Sequence, residues 1–156
     1  DIVQYLLETI RGHGIDSRRI DLEITESSFI HNLHEAISKL SELRQAGFAI
    51  AIDDFGTGQS SLGHITQIPF DILKIDKSFF DDRENEDRIY AVVGAIIAMS
   101  NSLNTKIVAE GIDNTRQLDM LKALKCHQVQ GYIFSRPLEE EQAMEVFLTR
   151  KEFTNH

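Results

Sequence analysis

The 156 residues fit one ordinary domain, with 42% hydrophobic content, enough for a core, and an unremarkable 26% charged content. A formal net charge of −9 excludes a bare electrostatic binder of DNA or RNA, which needs a basic face. It leaves room for a phosphorylated small molecule, because a divalent cation can bridge acidic protein to acidic ligand. The single Cys126 excludes an intrachain disulfide framework and suits a reducing cytosol. No signal peptide or membrane-length apolar run is visible, and "AVVGAIIAM" (Ala91 to Met99) reads as a buried helix. With two prolines, Pro69 and Pro137, and no Ser/Gly-rich linker, the chain is expected to be one domain or part of one.

In chain order, "DIVQYLLETIRGHG" places Ile2, Val3, Leu6, Leu7 and Ile10 on one helical face, with Gly12 and Gly14 as stop signals. "RIDLEIT" alternates Ile20, Leu22 and Ile24 like a strand, and Phe29 to Ala46 returns to helical spacing before Gly47. "FAIAID" is a second strand, and Ser60 to Gln67 a short helix closed by Pro69. "DILKID" is a third strand, followed by a charged loop and a helix from about Asp87 to Leu103. "TKIVAEG" is a fourth strand before a helix over Thr115 to Leu124, and "HQVQGY" a fifth before a helix over Glu139 to Leu148.

Strands alternating with helices predict an α/β fold with a parallel sheet of right-handed crossover units. Each strand carries or ends in a polar residue that a buried strand should avoid: Glu23, Asp53, Lys74, Glu110 and Gln130, at spacings of 30, 21, 36 and 20. A (β/α)8 barrel uses about 30 residues per unit and places its chemistry at the strand ends, so these residues recur about once per barrel unit. A doubly wound sheet fits the alternation too, but "DFGTGQSS" lacks the G-x-G-x-x-G order of its phosphate-binding turn. The barrel is the preferred fold.

Glu23, Asp53, Asp54 and Glu110 would converge if their strands are neighbours. Carboxylates in one cleft repel, and burying them unpaired costs several kcal/mol each. A hard divalent cation removes that cost, and an oxygen-only donor set suits Mg²⁺, Mn²⁺ or Ca²⁺ rather than zinc. Adjacent Asp53 and Asp54 could serve two metals, the usual apparatus for aiming water at a phosphodiester, with Lys74 holding that water or neutralising developing charge. Taken singly, Asp-Asp before a Gly-rich loop is a turn or cap, and a lone lysine a snorkelling surface residue. The constellation of one such residue per strand carries the case. His31 and His34 read as a solvated helix start, and Cys126 with His127 lacks the second pair that a zinc site needs. The runs "DDRENEDR" and Glu139 to Glu141 read as a charged loop with a first helical turn and as an acidic helix start.

"LEITES", "AIDDFGTGQSSL", "IPFDILKIDKSF", "VAEGI" and "QGYIFSRPL" resemble, in order and spacing, the motifs of EAL-domain cyclic di-GMP phosphodiesterases. The resemblance covers nearly the whole chain and implies a (β/α)8 barrel that hydrolyses cyclic di-GMP to a linear dinucleotide with Mg²⁺ or Mn²⁺, two ions being expected. It implies Glu23 as a metal ligand, Asp53 as the carboxylate shared by two metals and Asp54 as the ligand of the second. Lys74 matches the lysine on the catalytic water, Glu110 a general base or metal-site partner, and Gln130 a water-positioning residue. Glu26 matches the glutamate that tethers the loop after Asp54 and couples metal binding to dimerisation. Gly56 and Gly58 would let that loop turn tightly. Asp113 and Pro137 are expected near the substrate or behind the ligands.

There are departures. The Glu-Ala-Leu segment with its nearby arginine, and the next strand's asparagine, are absent; Asp113 stands where the family usually has glutamate, and Gln59 replaces a common aromatic. Five strands are counted where a barrel has eight, so the chain is expected to be the C-terminal part of an EAL domain, inactive alone. Its two open sheet edges predict association as a homodimer or an oligomer with exchanged elements. GGDEF or sensory regions in a longer parent and a cytoplasmic site, with the parent anchored at the inner membrane, complete the expectation. A non-catalytic EAL-like module binding nucleotide or protein is the alternative, and an unrelated metal-dependent barrel such as an aldolase or lyase a third.

Overall fold

The computed structural model describes residues 2–25, 28, 32–56, 62–80 and 85–149. Its elements run α1 (Ile2–Gly12), β1 (Asp21–Thr25), α2 (Leu33–Gln45), β2 (Ala49–Phe55), α3 (Leu62–Ile65), β3 (Ile72–Ile75), α4 (Glu86–Ser102), β4 (Lys106–Ala109), α5 (Thr115–Ala123), β5 (Gln128–Val129) and α6 (Glu140–Thr149). The described strands form one sheet in the order β1-β2-β3-β4-β5, every pair parallel. This is the expected α/β architecture: five consecutive strand–helix units of a (β/α)8 barrel, an incomplete one.

Parallel strands covered on both faces become apolar throughout. β3, in the middle, is buried at all four positions, Ile72, Leu73, Lys74 and Ile75, and Lys74 is the one exception to its apolar composition. Leu22, Ile24, Ile50, Ile52, Leu73, Ile75, Ile107 and Ala109 share the other sheet face and enter one core with Val3, Leu40, Leu43, Val93, Ile97 and Leu121 of the helices. Ser100 and Thr105 are buried beside it with their hydroxyls 2.9 Å apart, so neither polar group is left unsatisfied.

Local chemistry sets the boundaries. Asn32 caps α2 by accepting the Glu35 N–H, and Asn114 caps α5 by accepting the Gln117 N–H at 3.0 Å. The helix expected over Phe29 to Ala46 therefore begins at Leu33, residues 29–31 lying outside the described set. The helix expected over Ser60 to Gln67 ends early, at Ile65, residues 60 and 61 lying outside the described set: Gln67 N–H bonds to the His64 carbonyl and closes the chain into a turn ahead of Pro69. β5 keeps only two residues because Gly131 leaves the ladder to lie against Ile112. Among the described residues no helix is long and apolar enough to cross a membrane.

Asp71 pins the strand N-termini opposite the site. Its carboxylate takes a two-pronged contact from Arg44 at the end of α2, 2.7 and 3.1 Å, and accepts the Ile50 N–H at 3.0 Å. Its backbone bonds to Ile50 and Lys106, so one residue joins β2, β3, β4 and α2. Asp71→Ala should strand the Ile50 N–H and the Arg44 guanidinium, lowering stability in urea unfolding by about 1–3 kcal/mol. An unchanged unfolding midpoint would contradict this role.

Candidate functional site

Register decides which side chains can meet. Glu23 lies opposite Ala51 and Thr25 opposite Asp53, while Ala51 pairs with Ile72 and Lys74 with Val108. Side chains alternate between faces, so Glu23, Asp53, Lys74, Glu110 and Gln130 all fall on one side of the sheet, opposite the helix-packed core. In a closed barrel this side is the interior.

The Lys74 ammonium sits at the centre, 2.7 Å from Glu23 Oε1, 2.9 Å from Glu110 Oε1 and 3.1 Å from Asp53 Oδ1. Its side chain is 10% exposed, against 51% for Glu23, 23% for Asp53 and 19% for Glu110. Burial alone would lower the lysine pKa; the contacts with Glu23, Glu110 and Asp53 outweigh it and hold the ammonium above the ordinary lysine range. A raised value means that the charge, and the stability it contributes, persists through neutral pH and is lost only in strong alkali. Glu23 is too exposed for its pair to be worth more than about 1 kcal/mol. Asp53 and Glu110 are less exposed than Glu23, so their pairs with Lys74 are less screened by solvent.

Asp53 Oδ1 is buried and at ion-pair distance from Lys74, yet no hydrogen-bond donor is directed at it. A buried carboxylate oxygen with spare acceptor capacity, close to other carboxylates, fits a hard divalent cation. Among the described residues, however, no three carboxylates, imidazoles or thiols close around a common point as a metal cage. The carboxylates are gathered around an ammonium instead.

Asp54 owes its placement to a bulge. β2 and β3 pair at Ile52–Leu73 and again at Phe55–Ile75, so Asp53 and Asp54 together oppose Lys74. Asp54 takes up the slack with φ +54°, a left-handed conformation that aspartate tolerates better than most residues. Gly56 follows with φ +90°, and a Cβ there would lie 2.3 Å from the Phe79 ring.

Phe79 belongs to a single-turn 3₁₀ helix, Lys77–Phe80, where the sequence predicts only a charged loop. Asp76 Oδ1 accepts the Ser78 N–H at 2.9 Å and starts the turn; Lys77 then packs on Gly111 beside Glu110. The signal was present as Asp-Lys-Ser, an Asx turn, followed by two aromatics.

Gln130 lies on the cluster's face just past β5, its N–H bonded to the Ala109 carbonyl at 2.8 Å. Asp113 is exposed, accepts from its neighbour Asn114 at 2.8 Å, and borders a separate cavity of about 560 Å³ between the starts of α4 and α5. Pro137 is exposed after β5, and no described contact joins it or Asp113 to Lys74. Glu26, Gly58, Gln59 and His31 lie outside the described residues. His127 Nδ1 accepts the Ile107 N–H at 3.2 Å and closes a strand edge, and burial pushes the Cys126 thiol up, so neither is poised as a metal ligand.

The EAL domain family model matches residues 1–137, and the chain belongs to that family. It is 41% identical over 153 residues to the cyclic di-GMP phosphodiesterase NbdA of Pseudomonas aeruginosa, covering 98% of this chain and 19% of that protein. The chain spans about a fifth of the length of the curated relatives it matches. Among solved structures, the PaMucR phosphodiesterase in complex with c-di-GMP superposes with a TM-score of 0.84 at 35% identity, over 90% of this chain and 57% of that one. BlrP1 of Klebsiella pneumoniae, solved at pH 6 with manganese and cyclic di-GMP, gives 0.80 at 30% identity, over 88% and 35%.

Gly131 holds Gln130 in place by close approach, a Cβ there falling 2.0 Å from the Ile112 carbonyl oxygen. Gly131→Ala should therefore lower the melting temperature by several degrees, about 4 °C or more, since backbone must move. A variant as stable as the parent would show that the two segments part without cost.

Proposed function

We propose that the protein hydrolyses cyclic di-GMP to its linear dinucleotide, with the Lys74 cluster as the reacting centre. The observation that carries this is the ammonium shared by Glu23, Asp53 and Glu110 on the interior face of a parallel sheet, in a chain of the EAL family. The complexes of PaMucR and BlrP1 with cyclic di-GMP support the substrate.

In this reading Glu23, Asp53 and Asp54 hold Mg²⁺ or Mn²⁺, two ions at full occupancy. When bound, a divalent ion offsets the substrate's negative charge and makes water more acidic. Lys74 orients the attacking water by hydrogen bonding and offsets charge developing on phosphate oxygen. Glu110 takes the proton as the water oxygen bonds to phosphorus; the bridging P–O bond then breaks and the departing sugar oxygen takes a proton from solvent water. Gln130 holds the water in line. Glu26 tethers the loop after Asp54, and Asp113 and Pro137 act further out, on the substrate or behind the ligands.

The parent is read as a cytoplasmic enzyme unit, anchored at the inner membrane and joined to GGDEF or sensory regions. The five described strands leave the interior face open, with Glu23 half exposed. For that reason we take the 156-residue chain alone to turn over slowly if at all, and to associate as a homodimer or exchanged-element oligomer through its sheet edges.

The test is hydrolysis of cyclic di-GMP by the full-length protein with Mn²⁺ or Mg²⁺, with the linear product followed by chromatography. Asp53→Asn is expected to cut the rate by at least about 100-fold. A variant that keeps its rate, or a full-length protein that binds the nucleotide without cleaving it, would contradict the reading and favour a binding module.

A further inference from the structure

We infer that Lys74 acts as an internal counter-cation that competes with the divalent metal for its own ligands, and so sets the metal affinity of the site. The inference rests on the proposed metal site and extends it from which residues bind metal to how tightly they do so.

Three features carry it. First, the ammonium lies 2.7, 2.9 and 3.1 Å from oxygens of three carboxylates, and two of these carboxylates, Glu23 and Asp53, are expected metal ligands. Second, the described residues offer no ready-made cage of three donors; the carboxylates face a lysine and not one another. Third, Asp53 Oδ1 is buried with no directed donor, so the lysine neutralises it without saturating it. One ammonium among three carboxylates leaves two negative charges, enough to attract a divalent cation.

A divalent ion that takes Glu23 and Asp53 must displace the ammonium from those oxygens and then tolerate a positive charge close by in a partly desolvated site. Glu110 is the partner that Lys74 can keep. Metal entry thus moves the lysine from three partners towards one and frees donors for water. The same side chain that weakens metal binding is delivered to the reaction by it.

The test is direct titration of purified full-length protein with Mn²⁺, counting free ion by electron paramagnetic resonance, alongside the melting temperature with and without Mn²⁺. Lys74→Met removes the charge and keeps the length; it should bind Mn²⁺ at least about tenfold tighter and gain a larger melting shift. Lys74→Arg keeps the charge and should bind like the parent, which separates competition from a packing effect. Lys74→Gln carries the same expectation as Lys74→Met and replaces it if that variant does not fold without metal. Equal or weaker binding by the neutral variants, with Asp53→Asn abolishing binding, overturns the competition alone. Binding that Asp53→Asn leaves intact, or no binding in any of them, overturns the metal site and the competition together.

Discussion

A lysine on the central strand of a parallel sheet constrains everything placed around it. Lys74 is buried between apolar neighbours on β3, where an uncompensated ammonium would give up its charge or unfold the strand. Its position demands carboxylates from both flanking sides. Glu23 and Asp53 come from β1 and β2, and Glu110 from the end of β4. No one strand could supply all three at these distances, so the cluster holds only if the strands keep this order and register. Sheet topology and site electrostatics are in this sense one constraint seen twice.

The second constraint is the bulge opposite Lys74. Without it, alternation would send Asp54 to the core face and carry Phe55 into the site. The extra residue lets Asp53 stay on the lysine and Phe55 return to the core, with strain confined to Asp54 at φ +54° and Gly56 at φ +90°. The Lys77–Phe80 turn backs this arrangement, Phe79 under Gly56 and Lys77 under Gly111, so the ends of β2 and β4 are braced by the residues that follow β3. At the opposite end of the strands, the Asp71–Arg44 contact holds the same elements in register.

The strand order, the parallel sheet and the meeting of Glu23, Asp53, Lys74 and Glu110 on one sheet face were legible in the sequence. Their polar side chains interrupt apolar strands, and a period of two with a short strand leaves few faces to choose between. What was illegible is equally physical. The bulge is a register event between β2 and β3, visible to neither strand alone. The turn at Asp76 to Phe80 looked like an ordinary polar loop, because its Asx hydrogen bond and its contact with Gly56 depend on a neighbour distant in sequence. The shortness of β5 follows from the approach of Gly131 to Ile112, a contact that local pattern does not encode. The gathering of three carboxylates around the Lys74 ammonium is a matter of side-chain geometry beyond any motif.

On the proposed function, the oxygens around Lys74 are where metal and substrate meet. The most direct measurement is a crystal of the full-length protein grown with Mn²⁺ and cyclic di-GMP, with anomalous scattering recorded at the manganese edge. The expected result is an anomalous peak bonded to Asp53, with a scissile phosphate beside it and Lys74 drawn towards Glu110. Manganese and nucleotide bound elsewhere, for instance in the cavity between α4 and α5, with Lys74 still tied to all three carboxylates, would contradict it.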